Sequence, residues 1–456
     1  MKPVIFISFI FFCFILTGTT GAQESAETKR QEIPEVWTPM NSVAFAISSN
    51  PSSFIARKRI EAAQATAAMA KATNYPLVNL SAEYGQTNTP MYSFGNILNQ
   101  GGFDNSINFN DPGRTDNLNI KAEISYRLYN GGRDEAEIEA TEAATEISRS
   151  DLIAIHQRLG FEVIKTFQAI IQAEEMVKVR EAALTAITAS LNVGQARYDA
   201  GNLLREDLLN LDLQQSRASE DLIQSQHNLE LTRRGFLNLL GLHNGEVVLS
   251  NKNDTPQLIP AAIDFHNRQE LLRLRDLEHV SLAQLKKAEG GRMPTVDAFA
   301  SYQVDGGLVL EESGDSWMAG LKMNYNLFDG KRTLSTITRA KSRLLEIRGL
   351  IQKTELALNL EIQQAELEFL QAEKRLSVTE KMVSVAEEGT RLSRARFTEG
   401  VILASDLIDI EMRLSDAQAR QLSAKARYQV AIANLRRAAG LPQFPDSDKT
   451  EEELQQ

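Results

Sequence analysis

The chain has 456 residues, 43% hydrophobic and 24% charged, a composition of folded rather than disordered proteins and enough to bury a sizeable core. Its formal net charge of −11, with no Lys/Arg cluster, excludes nucleic acid as a partner, because neutralising phosphates needs a basic surface. The histidines His156, His227, His243, His266 and His279 show no metal-ligand spacing, and there is no phosphate loop, nucleophile elbow or zinc motif, so no enzyme activity, catalytic site, cofactor or metal is expected.

Residues 1–22 combine Lys2, an apolar run from Val4 to Leu16 and the small-residue end Thr20-Gly21-Ala22, the pattern of a secretory signal cleaved before Gln23. The single cysteine, Cys13, lies in that run, so the exported chain is expected to have no thiol chemistry, which suits an oxidising periplasm. Beyond residue 22 no stretch approaches the roughly 18 consecutive apolar residues of a membrane-spanning helix. A membrane crossing would have to be made by strands.

In chain order, a helix is expected over about Asn41 to Ala72, then a strand with Val78, Leu80, Ala82 and Tyr84 on one face. Gln86 to Asp116, rich in Asn, Gly, Asp and Ser, reads as a surface loop. Residues 118–128 alternate Leu118, Ile120, Ala122, Ile124, Tyr126, Leu128 with Asn119, Lys121, Glu123, Ser125, Arg127. Asp134 to Asp199 contains no Pro and only two isolated glycines, Gly160 and Gly194, and reads as one helix roughly 100 Å long at about 1.5 Å per residue. Gly201 marks a reversal and 203–239 a shorter returning helix.

A connector over 243–265 leads into a second series: a helix over 266–290, a strand with Val296, Ala298, Ala300 and Tyr302, a polar connector from Val304 to Ser316, and a strand over 317–327. That last strand alternates Trp317, Ala319, Leu321, Met323, Tyr325, Leu327 with more polar positions. A long helix over 333–398, a reversal at Gly400, a helix over 403–437 and a tail over 442–456 complete the chain.

The two series are copies, 23–242 and 266–441. Leu128-Tyr129-Asn130-Gly131-Gly132-Arg133 matches Leu327-Phe328-Asp329-Gly330-Lys331-Arg332, and Ala196-Arg197-Tyr198 with Gly201, Asp207, Leu208 and Gly241-Leu242 matches Ala395-Arg396-Phe397 with Gly400, Asp406, Leu407 and Gly440-Leu441, all at an offset of 199. Pro76-Leu77-Val78 matches Pro294-Thr295-Val296 at an offset of 218, so hairpin 76–128 carries 19 residues more than hairpin 294–327, and these are expected in a loop.

Period-2 alternation over about 10 residues with aromatics near the ends is the strand signature of an outer-membrane barrel, although one such strand taken singly fits a half-buried strand of a soluble sandwich at least as well. Four strands are too few for a single-chain barrel, and an open edge in lipid leaves backbone groups unsatisfied at several kcal/mol each. A membrane barrel would have to be shared between chains.

The two hairpin endings, the Pro-Leu/Thr-Val strand entry and the two helix-reversal tips, all in duplicated order, resemble the TolC family of outer-membrane efflux and secretion channels over essentially the whole exported chain to about Leu441. The resemblance implies a mainly α fold with a membrane β-barrel, in which three chains give a 12-stranded barrel continuing into a periplasmic helical tunnel. Residues 243–265 and those from Pro442 would form an equatorial belt. It implies a passive conduit with the partners of that family, namely two further copies, outer-membrane lipid, a periplasmic adaptor and an inner-membrane transporter, serving efflux or type I secretion.

By the same resemblance Asp406 and Asp409 would each form a ring of three carboxylates at the periplasmic constriction, with Asp207 contributing to the gate. Spacing alone fits a solvated i, i+3 pair on a helix surface as well. Gly201, Asn202 and Leu203 of the first tip and Gly400, Val401 and Ile402 of the second would dock the adaptor, while either glycine also fits a purely structural left-handed turn. Phe397 and Ile402 stand where the family's tip-locking tyrosine and arginine are expected. Two other classes compete: a periplasmic structural coiled coil that never enters lipid, and an autonomous diffusion porin, which the long helices disfavour.

Overall fold

A computed structural model describes residues 33–250, 259–260 and 263–444. The expected leader with Cys13, the centre of the 243–265 connector and the tail beyond residue 444 lie outside the described residues. The element order is α1 Pro39–Ser49, α2 Pro51–Lys71, β1 Leu77–Thr87, α3 Pro90–Asn99, β2 Thr115–Tyr129, α4 Arg133–Asp199, α5 Arg205–Leu239, α6 Gln269–Gly290, β3 Thr295–Gly306, β4 Ser313–Asn324, α7 Arg332–Thr398 and α8 Ala404–Ala438.

The long helices α4 and α7 have 67 residues each, about 100 Å. Both start from the matched hairpin endings. Asn130 Oδ1 accepts the Arg133 amide at 3.0 Å and Asp329 Oδ2 accepts the Thr333 amide at 2.8 Å, so equivalent residues cap the two helices. The left-handed residues these turns need are Gly131 and Gly132 in one copy and Gly330 and Lys331 in the other. Lys331, at φ +71°, bears a strain of about 1 kcal/mol that Gly132 avoids.

Each returning helix is extended by a shorter one stacked on its end. Asn50 Nδ2 donates to the carbonyl of Leu239, near the end of α5, at 2.8 Å, while its Oδ1 accepts the Ser52 amide and caps α2. At the equivalent junction of the second copy, Arg268 precedes α6 and Nη1 donates to the Arg437 and Ala438 carbonyls of α8 at 3.2 and 3.1 Å. Asn50 and Arg268 are separated by the same offset as the strand entries, so one architectural position is filled by an amide in one copy and a guanidinium in the other. Arg268 is buried and its charge is met by Glu270 and Glu361 at 2.8 and 3.2 Å.

Three sequence expectations are corrected. The helix expected over Asn41 to Ala72 is two helices, because Pro51 has no amide to continue α1 and Asn50 is extended at φ −67°, ψ 132°. The segment Gln86 to Asp116, expected to be loop, contains α3, which starts at Pro90 and buries Ser93 and Ile97 against the sheet end. The connector expected from Val304 to Ser316 shrinks to 307–312, since pairing holds β3 to Gly306 and starts β4 at Ser313; β4 ends at Asn324 because its partner begins at Thr295.

The four strands form one antiparallel sheet in the order β1-β2-β3-β4, so the two copies join through β2 and β3. The register lines up rows across the sheet. Leu80, Ala122, Tyr302 and Trp317 share one face with Val78, Ile124, Ala300 and Ala319; Ser81, Lys121, Gln303 and Ser316 share the other with Glu83, Asn119, Asp305 and Gly314. Among the described residues the outer edges of β1 and β4 are unpaired.

The largest hydrophobic core lies at mid-length of the helices. Trp37 is fully buried, with Phe45 and Phe236 edge-on at 5.3 and 5.8 Å, among Val163, Phe167, Leu240 and Phe444. The residue before α1 is tied to the connector after α5, where Trp37 N donates to Val248 O and Ser250 N to Trp37 O, both at 2.8 Å. Val247 of the 243–265 connector and Phe444 of the segment from Pro442, the two stretches for which an equatorial position was expected, both belong to this core.

Candidate functional site: a two-tip helical end joined to an apolar-faced sheet

At each tip the long helix closes with a Gly in the left-handed region, Gly201 at φ +74° and Gly400 at φ +77°. The amides of Asn202 and Val401 reach back to the Arg197 and Arg396 carbonyls at 2.7 and 2.8 Å, and those of Gly201 and Gly400 to Tyr198 and Phe397 at 2.9 and 3.0 Å. These paired bonds satisfy carbonyls that a helix end leaves orphaned. Gly201, Asn202, Gly400 and Val401 are exposed at the turns, while Leu203 and Ile402 are half-buried.

Inside, the two tips share one core. Phe397 from α7 is buried with Ala404 and Leu407 of α8 against Ile187 of α4 and Leu211 of α5. α4 makes room with Gly194, where a Cβ would lie 2.7 Å from the Leu211 side chain.

Arg197 clasps this core from the first tip. Its Nη1 donates to the Phe397 carbonyl at 3.0 Å and its Nη2 to the Asn202 carbonyl at 3.3 Å, and the guanidinium lies over the Phe397 ring, 5.2 Å from the centroid. Gly400 keeps the approach open, since a Cβ there would stand 3.1 Å from Nη2. Arg197 belongs to the repeated tip motif, but the motif gives only its place on one helix, not which neighbouring tip it meets. Within the second tip, Arg394 holds Glu411 through two bonds of 2.5 and 2.7 Å, which raises the guanidinium pKa by hydrogen bonding.

Asp406 and Asp409 are both exposed in the first two turns of α8, flanking the buried Leu407, so they project from the side away from the tip core. Asp207 stands at the equivalent place on α5, half-buried, with Asn210 in the position equivalent to Asp409. No hydrogen bond joins Asp207 to a described residue of the second tip; the cross-tip bond comes from Arg197 instead. Among the described residues no group of three His, Cys, Asp or Glu could hold a metal ion.

At the other end, the sheet presents large apolar side chains to the outside, with Leu80 77%, Trp317 76% and Leu321 70% exposed. A contiguous face of this kind is too apolar for water. No helix among the described residues is long and apolar enough to cross a membrane.

The sequence model of the family described as outer membrane efflux protein matches residues 45–242 and 266–441. The chain belongs to the outer membrane efflux protein family. It is 20% identical over 236 residues to the outer membrane efflux protein BepC of Brucella suis, which covers 50% of this chain and 51% of BepC, so the chain spans about half the length of that curated relative.

Solved structures share the fold across nearly the whole chain. The outer membrane protein VceC of Vibrio cholerae superposes with a TM-score of 0.75 at 17% identity, covering 89% of this chain and 97% of VceC. The CmeC outer membrane channel of Campylobacter jejuni gives 0.77 at 15%, covering 91% and 88%. The open state of the MtrE outer membrane channel of Neisseria gonorrhoeae gives 0.75 at 17%, covering 90% of each chain. The fold class is thus a helical tunnel segment joined to a barrel segment. The protein is an outer-membrane one whose helices extend into the periplasm.

Proposed function

We propose that three copies of this chain form a passive exit duct, a 12-stranded barrel leading into a helical tunnel, for a tripartite efflux or type I secretion system. The observation that carries this reading is the four-stranded sheet: one apolar face, one polar face and two free edges, joined directly to two helices about 100 Å long. Pairing β4 of one copy with β1 of the next removes every edge that lipid would penalise. The polar rows then line a wet lumen, and no step of the function requires chemistry.

The tip would be the periplasmic gate. Threefold symmetry converts exposed Asp406 and Asp409 into two rings of three carboxylates, which attract cations. The exposed turns at Gly201, Asn202, Gly400 and Val401, with Leu203 and Ile402 beside them, are the surface offered to a periplasmic adaptor that couples the duct to an inner-membrane transporter.

The test is fractionation followed by mass measurement in detergent. The expected result is recovery in the outer membrane as a complex of three chains. A soluble periplasmic coiled coil, the competing class, would be recovered without membrane; that outcome overturns the proposal.

A further inference from the structure

The 19 residues by which the first hairpin exceeds the second build α3, and the pairing register says on which side of the sheet it lies. Asn119, Asp305 and Gly314 share the polar face, two and four positions along β2 on that face stand Asn117 and Thr115, and Gly307 directly follows the end of β3. α3 binds these positions: Asn96 Nδ2 donates to Thr115 Oγ1 at 3.1 Å, and Gln100, just past its end, donates through Nε2 to Asn117 Oδ1 at 3.0 Å. Side chains are missing where it rests. A Cβ on Gly314 would stand 2.2 Å from the Asn99 carbonyl oxygen, and one on Gly307 2.7 Å from Gln100 Oε1.

α3 therefore folds over the lumen side of the sheet at the end remote from the helices. It is held there: Ser93 Oγ donates to Gly113 O at 2.6 Å, Gln100 Nε2 donates to Asp116 O at 2.6 Å, and the Phe94 and Phe109 rings meet at a tilt with centroids 4.3 Å apart. The opposite face of α3 has no partner among the described residues. Met91 is 79%, Tyr92 70% and Leu98 49% exposed.

We propose that the three α3 helices of the trimer meet one another on the threefold axis through Met91, Tyr92 and Leu98 and close the outer mouth of the barrel. This rests on the trimeric reading above. Twelve strands about 4.8 Å apart and tilted about 40° make a wall roughly 12 Å in radius. Three helices each about 10 Å across need a circle of roughly 11 Å radius even when touching. Helices lying inside that wall are therefore in mutual contact, and the apolar face turned to the axis suits another copy of itself rather than water. The duct would then have a barrier at each end, the outer one built from a segment that only the first copy carries.

The test uses the full chain with Cys13→Ser, so that introduced cysteines are the only thiols. Tyr92→Cys and Leu98→Cys, oxidised in isolated outer membranes, are expected to give interchain disulfide dimers, while Trp317→Cys on the opposite, apolar face gives none. Ser301→Cys, on the lumen face below α3, is expected to resist a polymer-linked maleimide added from outside. It should become labelled when residues 88–114 are replaced by a Gly-Ser link as short as the natural 307–312 connection. Absence of cross-links in a sample whose mass is that of three chains, or equal labelling with and without α3, overturns the proposal. A sample that is not trimeric overturns the trimeric reading and this inference with it.

Discussion

Arg197 and Phe397, on different copies of the repeat, are joined twice: by a hydrogen bond of 3.0 Å to the backbone and by the guanidinium lying 5.2 Å above the ring. The pair ties the first tip to the second through one side chain of α4 and one residue of α7.

Arg197→Ala is expected to loosen the tip by about 1–2 kcal/mol, the combined scale of one charged hydrogen bond and a partly exposed cation–π contact. Amide exchange in the turns at Asn202 and Val401 should accelerate roughly tenfold, following the change in local opening energy. Arg197→Lys should rescue little, since an ammonium cannot both stack and donate to two carbonyls. Unchanged exchange would mean that the shared core around Leu211 and Leu407 holds the tips by itself.

The carboxylate pair is tested by conductance. On the trimeric reading, the purified protein in a planar bilayer should be cation-selective and blocked by multivalent cations, and Asp406→Asn with Asp409→Asn should weaken that block by about tenfold or more, because six carboxylates would leave the proposed constriction. Asn210→Asp, which gives the first tip the same pair, should leave the block nearly unchanged if only α8 faces the axis.

His156 gives a pH dependence with a definite sign. Burial in α4, helped by the charge of Arg57, depresses its pKa from 6.5 to about 4. The unfolded chain then binds a proton at a higher pH than the folded one, so stability is complete above pH 6.5 and is lost as pH falls toward 4. The loss approaches ~3 kcal/mol per chain at 1.36 kcal/mol per unit. Melting of the wild type and His156→Gln at pH 7 and pH 5 should show a smaller acid-induced drop in the variant.

Two glycines with the same left-handed backbone separate strain from space. Gly131 and Gly201 both have φ +74°, but a Cβ at Gly131 would lie 2.5 Å from Met293 Cβ and 2.6 Å from the Gly290 carbonyl, whereas Gly201 has nothing within 4 Å. Gly201→Ala should cost about 1–2 kcal/mol. Gly131→Ala should cost several kcal/mol more and block trimer accumulation, because it forces apart the junction where β2 enters α4 and α6 approaches β3. Equal yields of the two variants would refute this distinction.

The long helices were legible because nothing in 134–199 or 333–398 competes with them, and the repeat was legible because its two offsets hold over a long span. α3 was not. Its buried positions, Ser93, Ile97 and Gln100, are mostly polar, and they are buried only because strands from both copies end beside them. The break at Asn50-Pro51 carried a local signal, an N-cap residue followed by proline at the first helical position, that the apolar and alanine-rich pattern on either side overshadowed. At the tip, Asp406 could be placed by its register with Asp207, but Arg197 could not be matched to Phe397. That contact depends on how two helical hairpins lie side by side, and no spacing along one chain encodes it.

On the trimeric reading proposed above, the β2–β3 pairing also governs how the duct comes into being. Around a closed wall of twelve strands, nine ladders are covalently guaranteed, because they lie within chains, and the three β4–β1 ladders depend on encounter. Each such joint brings the late edge of one chain against the early edge of another, a head-to-tail contact that satisfies no one until the third chain returns to the first. Assembly is thus dilution-sensitive and all-or-none in character: pairs of chains retain two open edges just as single chains do, and only ring closure makes the wall compatible with hydrocarbon. Lowering expression should therefore deplete finished ducts more steeply than it depletes chains.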